Sequence, residues 1–187
     1  VALVLAFLGT ALLMPGTAGA QSLYGASLQT GDLPERTGWS PITFSASQSN
    51  VALDYGVARI DLQFPFMFFG KSYTSVDVTP DGVMLFENEP KYCTGANITA
   101  CANSPNRNIP DKTGAKPNAL IAFWWGDMKL AGENNAHYTV TGDEGARIFS
   151  LRYQNWGAYP SSPTATPFRL RTVQVELHEA SGTIDIY

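Results

Sequence analysis

YTSVDVTPDGVMLF, residues 73–86, is the stretch that decides the fold. Val76 and Val78 alternate with polar residues on one arm, and Val83, Leu85 and Phe86 supply the other. Thr79-Pro80-Asp81-Gly82 stands between them. Proline presets φ at about −65° for the second turn position, aspartate suits the third, and glycine accepts the left-handed fourth. A type I turn closed by a glycine bulge is a common junction between antiparallel strands. The stretch is therefore predicted to be a β-hairpin, which speaks to fold and says little about chemistry.

The same pattern repeats outward from it. Ala58–Phe64 alternates, with Ile60, Leu62 and Phe64 inward and Arg59, Asp61 and Gln63 outward, the period of a half-buried strand. Pro65, Phe66, Phe68 and Phe69 extend the apolar material to Gly70. Ala119–Trp125 (ALIAFWW) is continuous apolar sequence and is expected to be a central strand buried on both faces. His137–Thr141 and Ala146–Tyr153 flank Gly142-Asp143-Glu144-Gly145. Phe168–Glu179 alternates Val173, Val175 and Leu177 with Thr172, Gln174, Glu176 and His178. Glu179-Ala180-Ser181-Gly182 then turns the chain into Thr183–Tyr187, with Ile184 and Ile186 inward. No amphipathic helix of useful length follows Ala20. Hairpins with apolar inner faces need a second layer, so the expected fold is all-β, an antiparallel sandwich of two packed sheets with long loops. Residues 21–56 read as an irregular lead-in with an edge strand at Pro41–Ala46, and 57–187 as the sandwich module. The chain stops at Tyr187 inside a strand, which would leave a raw edge, so the module is expected to continue in a further strand or domain.

Residues 1–20 are a different material. Val1–Met14 is apolar and uncharged, Pro15-Gly16-Thr17 interrupts it, and Ala18-Gly19-Ala20 has the small-x-small form of a signal-peptidase site. The expected reading is an N-terminally clipped signal peptide, with Gln21 as the mature start and no membrane span after cleavage. A buried core helix is the alternative. In an exported chain, Cys93 and Cys101 are expected to close a short disulfide loop. Metal ligation by the pair is the other use of two thiols. Asn97-Ile98-Thr99 between them is a glycosylation sequon. A net charge of −4 and a pI near 5.1 argue against nucleic acid as a partner, since phosphate binding needs a basic face.

Several stretches together are similar to known modules. FFG at 68–70 with Tyr73, Val76, Val78 and Gly82 is one, and Asn118, Leu120, Ile121, Ala122, Trp125 and Asp127 form another. Val173, Val175, Leu177, Gly182 and Ile184 form the third. They resemble the β-sandwich modules of large secreted bacterial proteins and, more distantly, the nidogen-type extracellular domain. The chain departs from that pattern at Gly126, where an acidic residue is common, and at the cysteine loop, which looks like an insertion. The resemblance implies a non-catalytic part of an adhesin, a matrix-like protein or a protease-bearing multidomain chain, and it brings no catalytic residues.

The residues themselves agree. A serine hydrolase needs a base beside its nucleophile, yet His137 and His178 are the whole histidine inventory and no serine stands in a G-x-S-x-G elbow. Asp61, Asp77, Glu176 and Asp185 alternate with apolar neighbours, so a solvent face accounts for each, as it does for His178. Asp127 differs, because it follows the most apolar run and a glycine. Its carboxylate is expected to cap loop amides, with a place in a calcium site as the other reading. Tyr153, Trp156 and Tyr159 lead into the polar loop Gln154–Pro167; ordinary packing is expected to account for them, with an exposed ligand-binding aromatic platform as the other reading. The expected function is a secreted, non-enzymatic module for binding, adhesion or assembly at the cell surface or in the matrix, with an extracellular protein, a glycan or a second copy as partner. An accessory domain of an exported protease and a filament subunit completed by a neighbouring strand are the alternatives. The loops at Asn88–Asn118 and Gln154–Pro167, with Asp127, are where function is expected.

Overall fold

The computed structural model describes residues 3–9, 24–45, 52–86, 119–160, 166 and 168–187. In chain order its elements are β1 (Leu3–Gly9), β2 (Tyr24–Thr30), β3 (Ser40–Pro41), the short helix α1 (Ala52–Tyr55) and β4 (Ala58–Phe68). β5 (Lys71–Thr79), β6 (Val83–Leu85), β7 (Leu120–Ala122) and β8 (Met128–Leu130) follow. The chain ends in β9 (Ala136–Thr141), β10 (Ile148–Ala158), β11 (Phe168–His178) and β12 (Ile184–Ile186). Among the described residues there are two antiparallel sheets. One runs β4-β5-β6-β7; the other runs β2-β1-β12-β11-β10-β9-β3, with β8 also paired to β10.

Alternation builds the smaller sheet. Along β4, Ala58, Ile60, Leu62, Phe64, Phe66 and Phe68 are buried and every residue between them is exposed. β4 is an edge strand, so Pro65 points outward without breaking a ladder. The 73–86 hairpin forms as its sequence predicts: Thr79 pairs with Val83, the Gly82 amide donates to the Thr79 carbonyl at 3.2 Å, and Gly82 has φ +79°. The other two predicted hairpins also form, β9–β10 through Gly145 and β11–β12 through Gly182. Phe149, Leu151, Tyr153, Val175 and Leu177 of the larger sheet join the β4–β6 side chains in one hydrophobic core. Phe86 stacks on Phe66 and Phe68 at its heart.

The lead-in has a structural use that its irregular sequence conceals. Its residues 34–39 lie over the outer face of β9–β11. Arg36 grips Glu176 of β11 with two bonds of 2.8 and 2.7 Å. The Pro34 carbonyl accepts from Arg152 and Gln174, the Thr37 carbonyl accepts from Thr139, and the Trp39 ring stacks under the Arg152 guanidinium at 4.4 Å. Ser150, Gln174 and Glu176 are consequently buried although they face away from the core. This corrects the assignment of Glu176 to a solvent face. Asp77 needs the same correction. It is buried by its cross-strand partner Arg59, which donates twice to it at 2.8 Å. His178 is largely covered too, with Nε2 placed 2.9 Å from Asp185 Oδ2.

Several strands differ from expectation: the lead-in holds β2, and its edge strand forms at Ser40–Pro41 rather than over Pro41–Ala46. The ALIAFWW run forms a strand only at Leu120–Ala122, at the end of its sheet and with Ala122 exposed, rather than a central strand. Phe123 and Trp124 leave the ladder because their amides both donate to the Gly82 carbonyl, at 3.0 and 3.2 Å. β10 runs on past Tyr153 to Ala158, into the segment expected to be loop. The apolar run assigned to a signal peptide contributes β1, whose Phe7 stands opposite Ile184. Cys93, Cys101, the sequon and the 88–118 loop all lie outside the described residues.

Candidate functional site

The hairpin turn at Thr79–Gly82 is buried throughout, which is unusual for a loop because buried backbone groups must all find partners. Each of its carbonyls does. Thr79 accepts from the Tyr153 hydroxyl at 3.0 Å as well as from Gly82. Pro80 accepts from the Trp156 indole N–H at 2.5 Å. Asp81 accepts from the Gly126 amide at 3.2 Å, and Gly82 from Phe123 and Trp124. The turn is thus fastened between the β7–β8 connection and two aromatic side chains of β10.

Those aromatic side chains are not a platform. Tyr153 is 0% and Trp156 1% exposed, so packing accounts for both and the exposed-platform reading of them is corrected. Strict alternation would put residues three apart on opposite faces. A register shift between Tyr153 and Trp156, with Asn155 at φ +47°, inserts a bulge that turns both inward. Tyr159 is half-buried, and its amide donates to the Asp127 carbonyl at 2.9 Å. The large exposed aromatic in this region is Trp124, at 49%, with the Arg171 guanidinium 5.0 Å from its ring centre.

Beside the turn, three carboxylates converge: Asp54 from α1, Asp81 from the turn and Asp127 from the β7–β8 connection. One oxygen from each lies within 4.8 Å of the others. Asp81 Oδ1 accepts the Met128 amide at 2.9 Å. Asp81 Oδ2 and Asp54 Oδ1 are buried and have no hydrogen-bond partner, although Asp81 is only 1% and Asp54 3% exposed. Asp127 is exposed and closes the group on the solvent side.

Crowding and burial disfavour the ionised forms. Burial pushes the Asp81 carboxyl up to about 9, against the Met128 amide and with help from Asp54 and Asp127. Burial and then the Asp127 charge push Asp54 up to about 7, with Lys129 acting in the opposite sense. Burial also raises Asp127. The group is a desolvated, oxygen-only donor set drawn from three separate segments.

Asp127 is the one member of the group that the sequence singles out. Asp81 reads as a turn former, and nothing local distinguishes a turn aspartate that points to water from one that is buried. Asp54 stands in a segment without clear period. The available hint is that Asp81 and Asp127 each border one of the most apolar stretches of the chain.

A family model described as NIDO related matches residues 34–187. The match begins at Pro34, whose carbonyl accepts from Arg152 and Gln174, and takes in both sheets from β3 onward. Comparisons with curated proteins and with solved structures returned no match.

Proposed function

Because the chain belongs to this NIDO-related family, we propose that it is an extracellular, non-catalytic module that binds a protein or glycan at the cell surface or in the matrix. Family membership over 34–187 is the observation that carries the reading. The apolar run at residues 1–14, followed after Pro15-Gly16-Thr17 by Ala18-Gly19-Ala20, supports export. Among the described residues no helix is long and apolar enough to cross a membrane. The placement of polar groups supports the non-enzymatic reading. Glu176 and Asp77 are each engaged by an arginine.

The test is direct. The purified chain is screened against immobilised matrix proteins and a glycan array, and in parallel against peptide and glycoside substrates. Saturable binding without turnover is expected. Turnover that disappears in Asp127→Asn would overturn the reading. N-terminal sequencing of the exported protein is expected to begin at Gln21.

Self-assembly has one specific observation in its favour. Cleavage after Ala20 would remove β1, the strand that covers the outer edge of β12 at Phe7–Ile184, and leave a template for strand addition. Light scattering on the processed chain reads this: a monomer at all concentrations would count against it.

A further inference from the structure

We propose that Asp54, Asp81 and Asp127 form a calcium site that ties α1, the 79–82 turn and the β7–β8 connection together at one end of the sandwich.

The buried carboxylates argue for a ligand. Asp81 Oδ2 and Asp54 Oδ1 lie out of water with no donor reaching them. Buried polar atoms are nearly always satisfied, and an orphan left out of water carries an uncompensated desolvation penalty. A single cation between the three side chains would satisfy both orphans at once. The spacing suits one: oxygens within 4.8 Å of one another can share an ion whose oxygen contacts are about 2.3–2.6 Å.

The donors argue for which ion. All three are carboxylates, the ligands of hard divalent cations, with no thiol or imidazole to favour zinc or copper. Magnesium demands a near-ideal octahedron and keeps several waters, whereas calcium accepts irregular geometry and more protein oxygens. Two donors here are buried and the third is exposed, so water reaches the ion from the Asp127 side only. Calcium fits that enclosure better. The site neither depends on nor specifies the binding partner proposed above, because cation binding is measured on the chain alone.

The test uses the purified full chain stripped with EDTA, then titrated with calcium or magnesium chloride. At calcium about a hundred times its Kd, the melting temperature should rise by about 5–10 °C, with a smaller rise in magnesium. Terbium should bind the same site and show luminescence sensitised by the nearby tryptophans, and calcium should displace it. Asp127→Asn changes an exposed side chain, so it should fold and lose most of the calcium-dependent rise. Asp81→Asn should lose it entirely. A wild-type melt indifferent to calcium, with no terbium signal, would overturn the proposal. An equal rise in magnesium would overturn the assignment to calcium, and a full calcium response in folded Asp127→Asn would overturn the ligand set.

Discussion

Replacing Gly82 with alanine tests how tightly the hairpin turn is enclosed. Gly82 has φ +79°, and a Cβ there would stand 2.8 Å from Trp124 Cβ and 3.1 and 3.2 Å from two ring carbons of Trp156. Two costs add. A non-glycine residue in the left-handed region loses about 1–2 kcal/mol. Forcing a methyl against a packed indole costs about 1–3 kcal/mol, since close-packed interiors yield little. Trp156 cannot swing aside without losing its bond to the Pro80 carbonyl. The sum is about 2–5 kcal/mol, a large part of the ~5–15 kcal/mol that holds a typical domain. Gly145→Ala is the control. Gly145 has φ +85° and nothing within 4 Å of a Cβ, so it meets the first cost alone, about 1–2 kcal/mol. Urea unfolding of the two variants and the wild type, followed by tryptophan fluorescence, gives both numbers. At about 2–4 °C per kcal/mol for a chain of this size, Gly82→Ala should melt about 4–20 °C lower than wild type. Equal losses in the two variants would refute the close approach of Trp124 and Trp156 to the turn.

Further outcomes follow from other contacts. Arg36→Ala leaves Glu176 buried without its partner, with the arginine side chain 22% and the glutamate 0% exposed. It should cost about 3 kcal/mol in urea unfolding and open residues 34–39 to limited proteolysis. Trp156→Phe removes the indole N–H that donates to the Pro80 carbonyl and should destabilise by about 1–3 kcal/mol. Trp124→Ala, at an exposed side chain, should change stability far less, so differential scanning calorimetry separates a core tryptophan from a surface one. Arg147, with backbone amides of Gly145 and Arg147, holds the Glu179 carboxyl down to about 2. A depressed carboxylate contributes stability above its unfolded value near 4.5 and loses it as pH falls toward 2. The wild-type advantage over Glu179→Gln should therefore be constant at neutral pH and shrink from about pH 5 downward in paired thermal melts.

The fold was legible wherever one face of a strand meets water and the other meets the core. Ile60, Leu62 and Phe64 alternate because β4 is half-buried, and the three glycine-ended turns mark hairpins because a left-handed backbone selects glycine. These are local constraints, and local sequence carries them. The misassigned features all depend on what lies opposite a segment. Glu176 and Asp77 have the period of a solvent face, and only the arginines laid across them put them out of water. The bulge at Gln154-Asn155 turns Trp156 inward, and no run of letters states where a ladder will slip. The resemblance of the 68–82, 118–127 and 173–184 stretches to the nidogen-type domain agrees with the family match, because those positions are core and turn.

The candidate site divides along the same line. Sequence alone determined that the chain is an antiparallel sandwich, that Thr79–Gly82 is a turn, and that Asp127 leaves an apolar strand in an unusual setting. Only tertiary structure decided that this turn is buried, and that Asp54 and Asp81, 27 residues apart in the chain, meet Asp127. The physical reason is that hydrogen-bonding pattern and hydrophobic period are properties of neighbours along the chain. The desolvation of a carboxylate is set by whatever the rest of the chain packs around it.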